Sequence, residues 1–167
     1  MRKILVIGSS GSGKSYFSKR LGEQLRIDVI HLDRQYWKPN WTKPSKEEWK
    51  AKVAEMLKRD EWIIDGNFGG TMEMRVAAAD TIIFIDLSRV LCLWRVIKRR
   101  IAYRKTTRPD MAEKCDEKVD LDFLKWVWRY PRSSKPKIEE LLQRNSKEKH
   151  VIRLRSRSEV KRFLRRL

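Results

Sequence analysis

Cysteine is scarce in this sequence. There are two in 167 residues, Cys92 and Cys115, which lie outside any C-x-x-C spacing and are too few for a disulfide framework or a zinc site. Both read as reduced thiols, Cys92 as core in an apolar helical stretch and Cys115 as exposed in a charged one. Acid is short too, with 22 Asp+Glu against 40 Lys+Arg and a net charge of +18. That imbalance favours polyanionic partners such as nucleotides or nucleic acid, including DNA. Long apolar runs are missing: none reaches the ~18 residues of a membrane span, and residues 1–10 lack the apolar region of a signal peptide. A cytoplasmic protein with no membrane partner is the expectation.

What is present suffices for one full core. Hydrophobic residues make up 41% of the chain and seven residues are Trp, and no stretch has the composition of an interdomain linker, so residues 1–167 are expected to form a single domain. The cations are clustered. Residues 95–108 carry seven and no acid, and residues 147–166 carry nine against Glu148 and Glu159. Such runs form either solvated helix faces or anion-binding surface.

One stretch carries specific chemistry. Gly8-Ser9-Ser10-Gly11-Ser12-Gly13-Lys14-Ser15 fits G-x-x-x-x-G-K-[ST], a pattern that arises by chance in about 1% or fewer of chains this long. It follows an apolar run at 3–7 and precedes Tyr16, Phe17, Leu21 and Leu25, which recur at helical spacing. Glycines let successive backbone N–H groups turn inward around a phosphate, and the following helix N-terminus favours the anion. Lys14 would reach the β- and γ-phosphates of ATP, and Ser15 would place its hydroxyl on Mg²⁺, which prefers hard oxygen ligands.

Further along, short apolar runs end in carboxylates. Residues 28–32 read as a second strand presenting Asp33, residues 62–65 as a third ending at Asp65, residues 81–86 as a fourth and residues 151–154 as a fifth. Between them, Ser45 and Glu48 form a capping box that opens a helix, and helices are expected over 91–103, 120–129, 136–143 and 159–167. Tyr36-Trp37-Lys38-Pro39-Asn40-Trp41 is an aromatic, turn-rich excursion that either lines a substrate loop or anchors a lid to the core. Gly66-Asn67-Phe68-Gly69-Gly70 is turn chemistry. Strands alternating with helices predict right-handed crossovers and a parallel sheet covered on both faces. The fold class expected is therefore α/β, a three-layer P-loop NTPase fold with a five-stranded parallel sheet and a helical lid over about 104–130. No Asn-Lys-x-Asp element that would read guanine is present, and no apolar run ends in Asp-Glu as in motor and transport ATPases.

The chain resembles, loosely over its whole length, the P-loop kinases of small metabolites, the adenylate kinase and shikimate kinase group. Trp62-Ile63-Ile64-Asp65-Gly66 is similar to the apolar-run-Asp-Gly signature of nucleoside monophosphate kinases, and Arg95 to Arg100 is similar to the basic motif leading into their lid. His31-Leu32-Asp33, Tyr36-Trp37-Lys38-Pro39, Asp65 to Gly70, Leu91 to Arg95 and Arg108-Pro109-Asp110-Met111 more narrowly resemble the bacterial DNA topology modulation proteins. Where nucleotide kinases continue with Phe-Pro-Arg after Gly66, this chain has Asn67-Phe68-Gly69. That departure speaks against a nucleoside monophosphate acceptor.

Together these readings predict an ATP-binding protein, a kinase that transfers the γ-phosphoryl to a small-molecule acceptor, with Mg²⁺ as cofactor. Gly8 to Ser15, with Tyr16, is the expected nucleotide site. Lys14, Asp33, Asp65, Arg95 and Arg99 are the expected catalytic groups, Asp33 orienting or deprotonating the acceptor hydroxyl. Ser15, with Asp33 or Asp65, would hold the metal. Asp33, Tyr36, Trp37, Trp41, Asp65, Gly66, Asn67, Arg104 and Arg108 would meet the acceptor, with Lys38 as a further cation. The polar segment 106–119 is expected to close as a lid and exclude water. The alternative is a nucleic-acid-associated protein in which ATP is a switch ligand, drawn from the +18 charge and from Trp126-Val127-Trp128-Arg129-Tyr130-Pro131-Arg132; the favoured reading of those aromatics is core packing on the apolar face of a helix with Leu121, Leu124 and Val127.

Overall fold

Five short strands dominated by Ile, Val, Leu and Phe run parallel in the order β2-β3-β1-β4-β5 in the computed structural model, which describes residues 1–38, 42–103 and 121–167. They are β1 (Lys3–Gly8), β2 (Val29–His31), β3 (Trp62–Asp65), β4 (Thr81–Ile85) and β5 (His150–Leu154). The register sets Val6 beside Asp65, Asp65 beside His31, and Ile85 beside both Gly8 and Leu154.

Alternate side chains point to opposite faces of a strand, and both faces of this sheet are covered. Leu5, Ile7, Ile82 and Phe84 pack with Trp49 and Val53 of α3 (Lys46–Leu57), Met72 and Val76 of α4 (Met72–Ala78), and Ile138 and Leu142 of α7 (Lys135–Asn145). Ile4, Val6, Ile83 and Ile85 pack with Phe17 and Leu21 of α1 (Lys14–Leu25) and Cys92 and Val96 of α5 (Arg89–Ala102). Partly buried Phe163 and Leu164 of α8 (Arg157–Arg165) join that second cluster. Each fully buried aliphatic side chain contributes about 1.5–3 kcal/mol, so the five-stranded core rigidly positions the loops at its C-terminal edge.

The expected strands and the Ser45–Glu48 capping box are present, the box with both reciprocal bonds. Several boundaries differ. The second strand stops at His31, and Leu32–Tyr36 forms a short helix, α2, where the sequence suggested the start of an irregular loop. Gly69–Thr71 is a 3-10 turn leading directly into α4, which the glycine-rich composition concealed. Helix α5 begins at Arg89 rather than 91 because Ser88 caps it, accepting from Leu91 N. Helix α6 (Leu121–Ser133) runs on through Pro131, past the expected end at 129.

Within α6, Val127 and Tyr130 are buried, whereas Leu121 is 73% exposed and Trp126 and Trp128 are about two-fifths exposed. The expectation that Leu121 and both tryptophans share one core face is thus corrected. Cys92 is buried and free; Cys115 lies outside the described residues. Trp41, Arg104, Arg108 and the segment 106–119 expected to form the lid also lie outside them. Among the described residues no helix is long and apolar enough to cross a membrane.

Candidate active site

The site begins where β1 turns into α1. Gly13 is the N-cap of α1 with φ of 93° and offers no side-chain cap, so the first N–H groups of the helix remain available to an anion. Gly11, at φ of 79°, lies so close to α5 that a Cβ there would stand 2.2 Å from Cys92 O. Only glycine fits that contact. The cradle between them is therefore pressed against α5 and cannot carry side chains at its turning points.

Two further side chains tie the cradle down. On the β3 side, Gly8 N donates to Asn67 Oδ1 at 3.2 Å and Asn67 Nδ2 donates to Gly8 O at 2.7 Å. On the α5 side, Arg95 Nη1 donates to Ser12 O at 3.1 Å and to Gly11 O at 3.4 Å. Carbonyls on the outer side of the loop are thus satisfied by protein, which leaves the N–H groups on the inner side for a ligand. Asn67, expected at the acceptor, and Arg95, expected among the catalytic cations, both have their polar ends on the cradle itself.

Lys14 is half-buried at the start of α1, and its Nζ donates to Ser9 O at 2.8 Å. Burial pulls its pKa below the ordinary lysine value; the charges of Asp65, then Asp33 and Cys92, push it back, while Arg99 lowers it. Asp33, Asp65 and Arg99 are thus among the charges that act on the ammonium. Tyr16 is 69% exposed beside the cradle.

His31 and Asp65 stand opposite each other on β2 and β3, and His31 Nδ1 lies 3.0 Å from Asp65 Oδ1. An ionised carboxylate only accepts, so Nδ1–H is the donor in this pair. The second oxygen, Asp65 Oδ2, is buried and has no hydrogen-bond partner among the described residues. Such a group calls for a water or a cation. Hard oxygens from Ser15, Asp33 and Asp65 suit Mg²⁺, which takes few protein ligands and keeps several waters. The described residues contain no group of three His, Cys, Asp or Glu side chains that could by themselves enclose a metal.

The loop after β3 is organised by a residue the sequence reading passed over. Arg75, fully buried in α4, donates from Nε to Thr71 O, from Nη1 to Gly66 O at 2.8 Å, and from Nη2 to Asn67 O and Phe68 O at 2.6 and 2.9 Å. Burial pulls its pKa down to about 9, and the guanidinium remains charged at neutral pH. The clamp holds Phe68 at φ of 23°, a region that costs a non-glycine residue roughly 1–3 kcal/mol. Phe68 in turn meets Tyr36 and Trp49, with ring centroids 4.7 and 5.3 Å away, and Tyr36 meets Trp37 edge-on at 5.0 Å. Tyr36 thus belongs to an aromatic cluster under the site; Trp37 lies at its margin, with Lys43 Nζ 5.7 Å from its ring. Lys38 pairs with Glu48 at 3.8 Å on the exposed start of α3. The one signal for Arg75 in the sequence is a lone cation among Met72, Met74 and Val76.

A glycine-turned cradle on a helix N-terminus, at the C-terminal edge of a parallel sheet ordered 2-3-1-4-5, defines a P-loop kinase fold. Comparison with known proteins agrees in architecture. No family model and no curated protein matches the sequence. Among solved structures, the chain is similar to a gluconokinase from Sinorhizobium meliloti at 17% identity and a TM-score of 0.54, over 99% of this chain and 92% of that one. It is also similar to a shikimate kinase from Bacteroides thetaiotaomicron, at 18% identity and a TM-score of 0.52 over 98% and 94% of the two chains. A deoxyadenosine kinase from M. mycoides with bound dATP follows at 14% identity and a TM-score of 0.50, over 98% and 97%. At these identities the likeness is one of fold.

Proposed function

We propose that this chain is an ATP-dependent phosphotransferase acting on a small hydroxyl-bearing acceptor. The observation that supports the reading is placement at one sheet edge: Lys14 opens α1 after the glycine cradle of β1, Asp65 ends β3 in register beside β1, and Asp33 lies in the first turn of α2 just past β2. Phosphoryl transfer needs positioning and charge neutralisation more than covalent help from the protein. The cradle N–H groups and Lys14 bind the β- and γ-phosphates; Arg99 adds positive charge. Asp33, in the first turn of α2, accepts the acceptor's hydroxyl proton as that oxygen bonds to the γ-phosphorus and the bond to the bridging oxygen breaks, releasing ADP. Mg²⁺, when bound, neutralises phosphate charge; Ser15 and Asp65 are the residues that would hold it, directly or through water. Tyr36 and Trp37, on the chain leaving β2, would wall the acceptor.

The test is labelled ATP offered with a panel of sugars, nucleosides, nucleotides and polar metabolites. Label appearing in one acceptor, with turnover reduced about 10²-fold or more in Asp33→Asn and ATP binding retained, is the expected result. Wild-type turnover in Asp33→Asn would return Asp33 to a purely structural place, and a Lys14→Ala variant that binds ATP·Mg²⁺ as tightly as wild type would remove the nucleotide site.

A second reading, an ATP-binding protein that associates with DNA, draws on the resemblance to DNA topology modulation proteins and on Trp128, which is 43% exposed with the guanidinium of Arg89 4.0 Å from its ring centroid. Stacking platforms flanked by cations suit single strands. Affinity for single-stranded DNA should then fall by orders of magnitude between about 50 and 200 mM salt; no binding at low salt eliminates this reading.

A further inference from the structure

A pocket of about 350 Å³ opens at the C-terminal ends of β4 and β5. The strand order puts β1 between it and the His31–Asp65 pair at the ends of β2 and β3, so it lies on the other side of the cradle from the proposed acceptor. Its walls come from the turn after β4, the end of α6, the start of α7 and the end of β5, with Ser9 at the side nearest the cradle.

The lining is cationic. Arg89, Lys135, Arg153 and Arg155 face it, against the single carboxylate of Asp86. That carboxylate is already neutralised: Lys135 Nζ lies 2.9 Å and Arg153 Nη2 2.6 Å from Asp86 Oδ2, and Arg153 also reaches Glu139 at 2.7 Å. With both acids set against Lys135 and Arg153, the charges of Arg89 and Arg155 are left over. Arg89 is held in place by stacking over Trp128, so its guanidinium is ordered before any ligand arrives.

A second observation, independent of charge, points to a ligand. Tyr130 lines the same pocket, is only 3% exposed, and its buried hydroxyl has no hydrogen-bond partner among the described residues. A buried hydroxyl without a partner costs about 1–3 kcal/mol. Burial raises the pKa of the phenol, which therefore remains a neutral O–H donor throughout the physiological range.

We propose that this pocket is a second anion site, taking a tetrahedral phosphate dianion, either inorganic phosphate or the head of a small phosphate monoester. Two surplus guanidinium groups match two negative charges and the geometry of phosphate oxygens. Tyr130 Oη supplies a neutral donor, and the volume is that of small-ligand sites, with room beyond the phosphate for an ester group. The pocket borders the cradle through Ser9 but draws its cations from other segments, and its existence does not depend on the kinase reading.

Calorimetric titration distinguishes the possibilities. Inorganic phosphate and phenyl phosphate are each titrated into protein saturated with ADP·Mg²⁺, and separately into Lys14→Ala protein, whose cradle is impaired whether or not the chain is a kinase. Binding in both backgrounds is expected. Arg155→Gln and Tyr130→Phe should each weaken it tenfold or more. Tighter binding of phenyl phosphate than of inorganic phosphate would identify the monoester as the ligand; the reverse order would identify the free ion. Binding that disappears when the cradle is filled or impaired, no binding in the millimolar range, or wild-type affinity in Arg155→Gln would each overturn the proposal. Arg155 is exposed, so its variant decides the matter even if Tyr130→Phe melts early.

Discussion

Asn67 and Gly8 exchange two hydrogen bonds, the backbone N–H and C=O of the first cradle residue meeting the two ends of one side-chain amide at 3.2 and 2.7 Å. The amide replaces a ladder partner just past the last paired residues of β1 and β3. Asn67→Ala should therefore cost about 1–3 kcal/mol in a urea melt and weaken ATP binding about tenfold. Asn67→Asp should weaken binding further, because it cannot donate to Gly8 O and brings a negative charge to the phosphate site. Unchanged ATP affinity in both variants would show that the cradle holds its shape without this clamp.

His31 bears on catalysis through Asp65. His31→Phe leaves Asp65 Oδ1 without its donor, and the expected outcome is turnover about tenfold lower and a higher Mg²⁺ requirement. His31→Asn carries an amide N–H near the position of Nδ1 and should recover turnover to within about threefold. Equal loss in the two variants, measured as kcat against KM for Mg²⁺, would argue that the imidazole has another role.

Arg75→Lys probes the loop after β3. A lysine ammonium has three donors and no planar fork, so it cannot meet the carbonyls of Gly66, Asn67, Phe68 and Thr71 at once. Chemical denaturation should register a loss of about 2–4 kcal/mol, and ATP binding should weaken because Asn67 moves with its own carbonyl. A loss below about 1 kcal/mol would mean that the loop holds its shape unaided.

Lys14 ties stability to function. Its pKa is lowered in the folded protein by burial, so between that lowered value and the ordinary lysine value of 10.5 the unfolded chain binds more protons. Stability should accordingly rise as pH increases through that window. Lys14→Met should melt a few degrees higher than wild type at neutral pH, lose this part of the pH dependence and bind ATP poorly. Thermal melts from pH 7 to 10.5 check the sign; a Lys14→Met protein less stable than wild type at pH 7 would mean that the surrounding carboxylates outweigh desolvation.

The sequence by itself determined the parallel α/β architecture and the glycine spacing of the cradle, for a local reason. Apolar runs of four to six residues, a glycine spacing and a capping box are encoded within a few consecutive positions. What only the tertiary structure decided are the pairings between residues far apart in the chain. The bonds from Asn67 to Gly8 and from Arg95 to Gly11 and Ser12 span 59, 84 and 83 positions, and His31 finds Asp65 only because β2 and β3 are neighbours in register. Arg75 drew no reading from the sequence, since a lone cation among apolar neighbours does not announce that four backbone carbonyls would replace its water. The pocket at β4 and β5 is likewise assembled from five segments; charge alone could not separate its two surplus arginines from the many that are solvated.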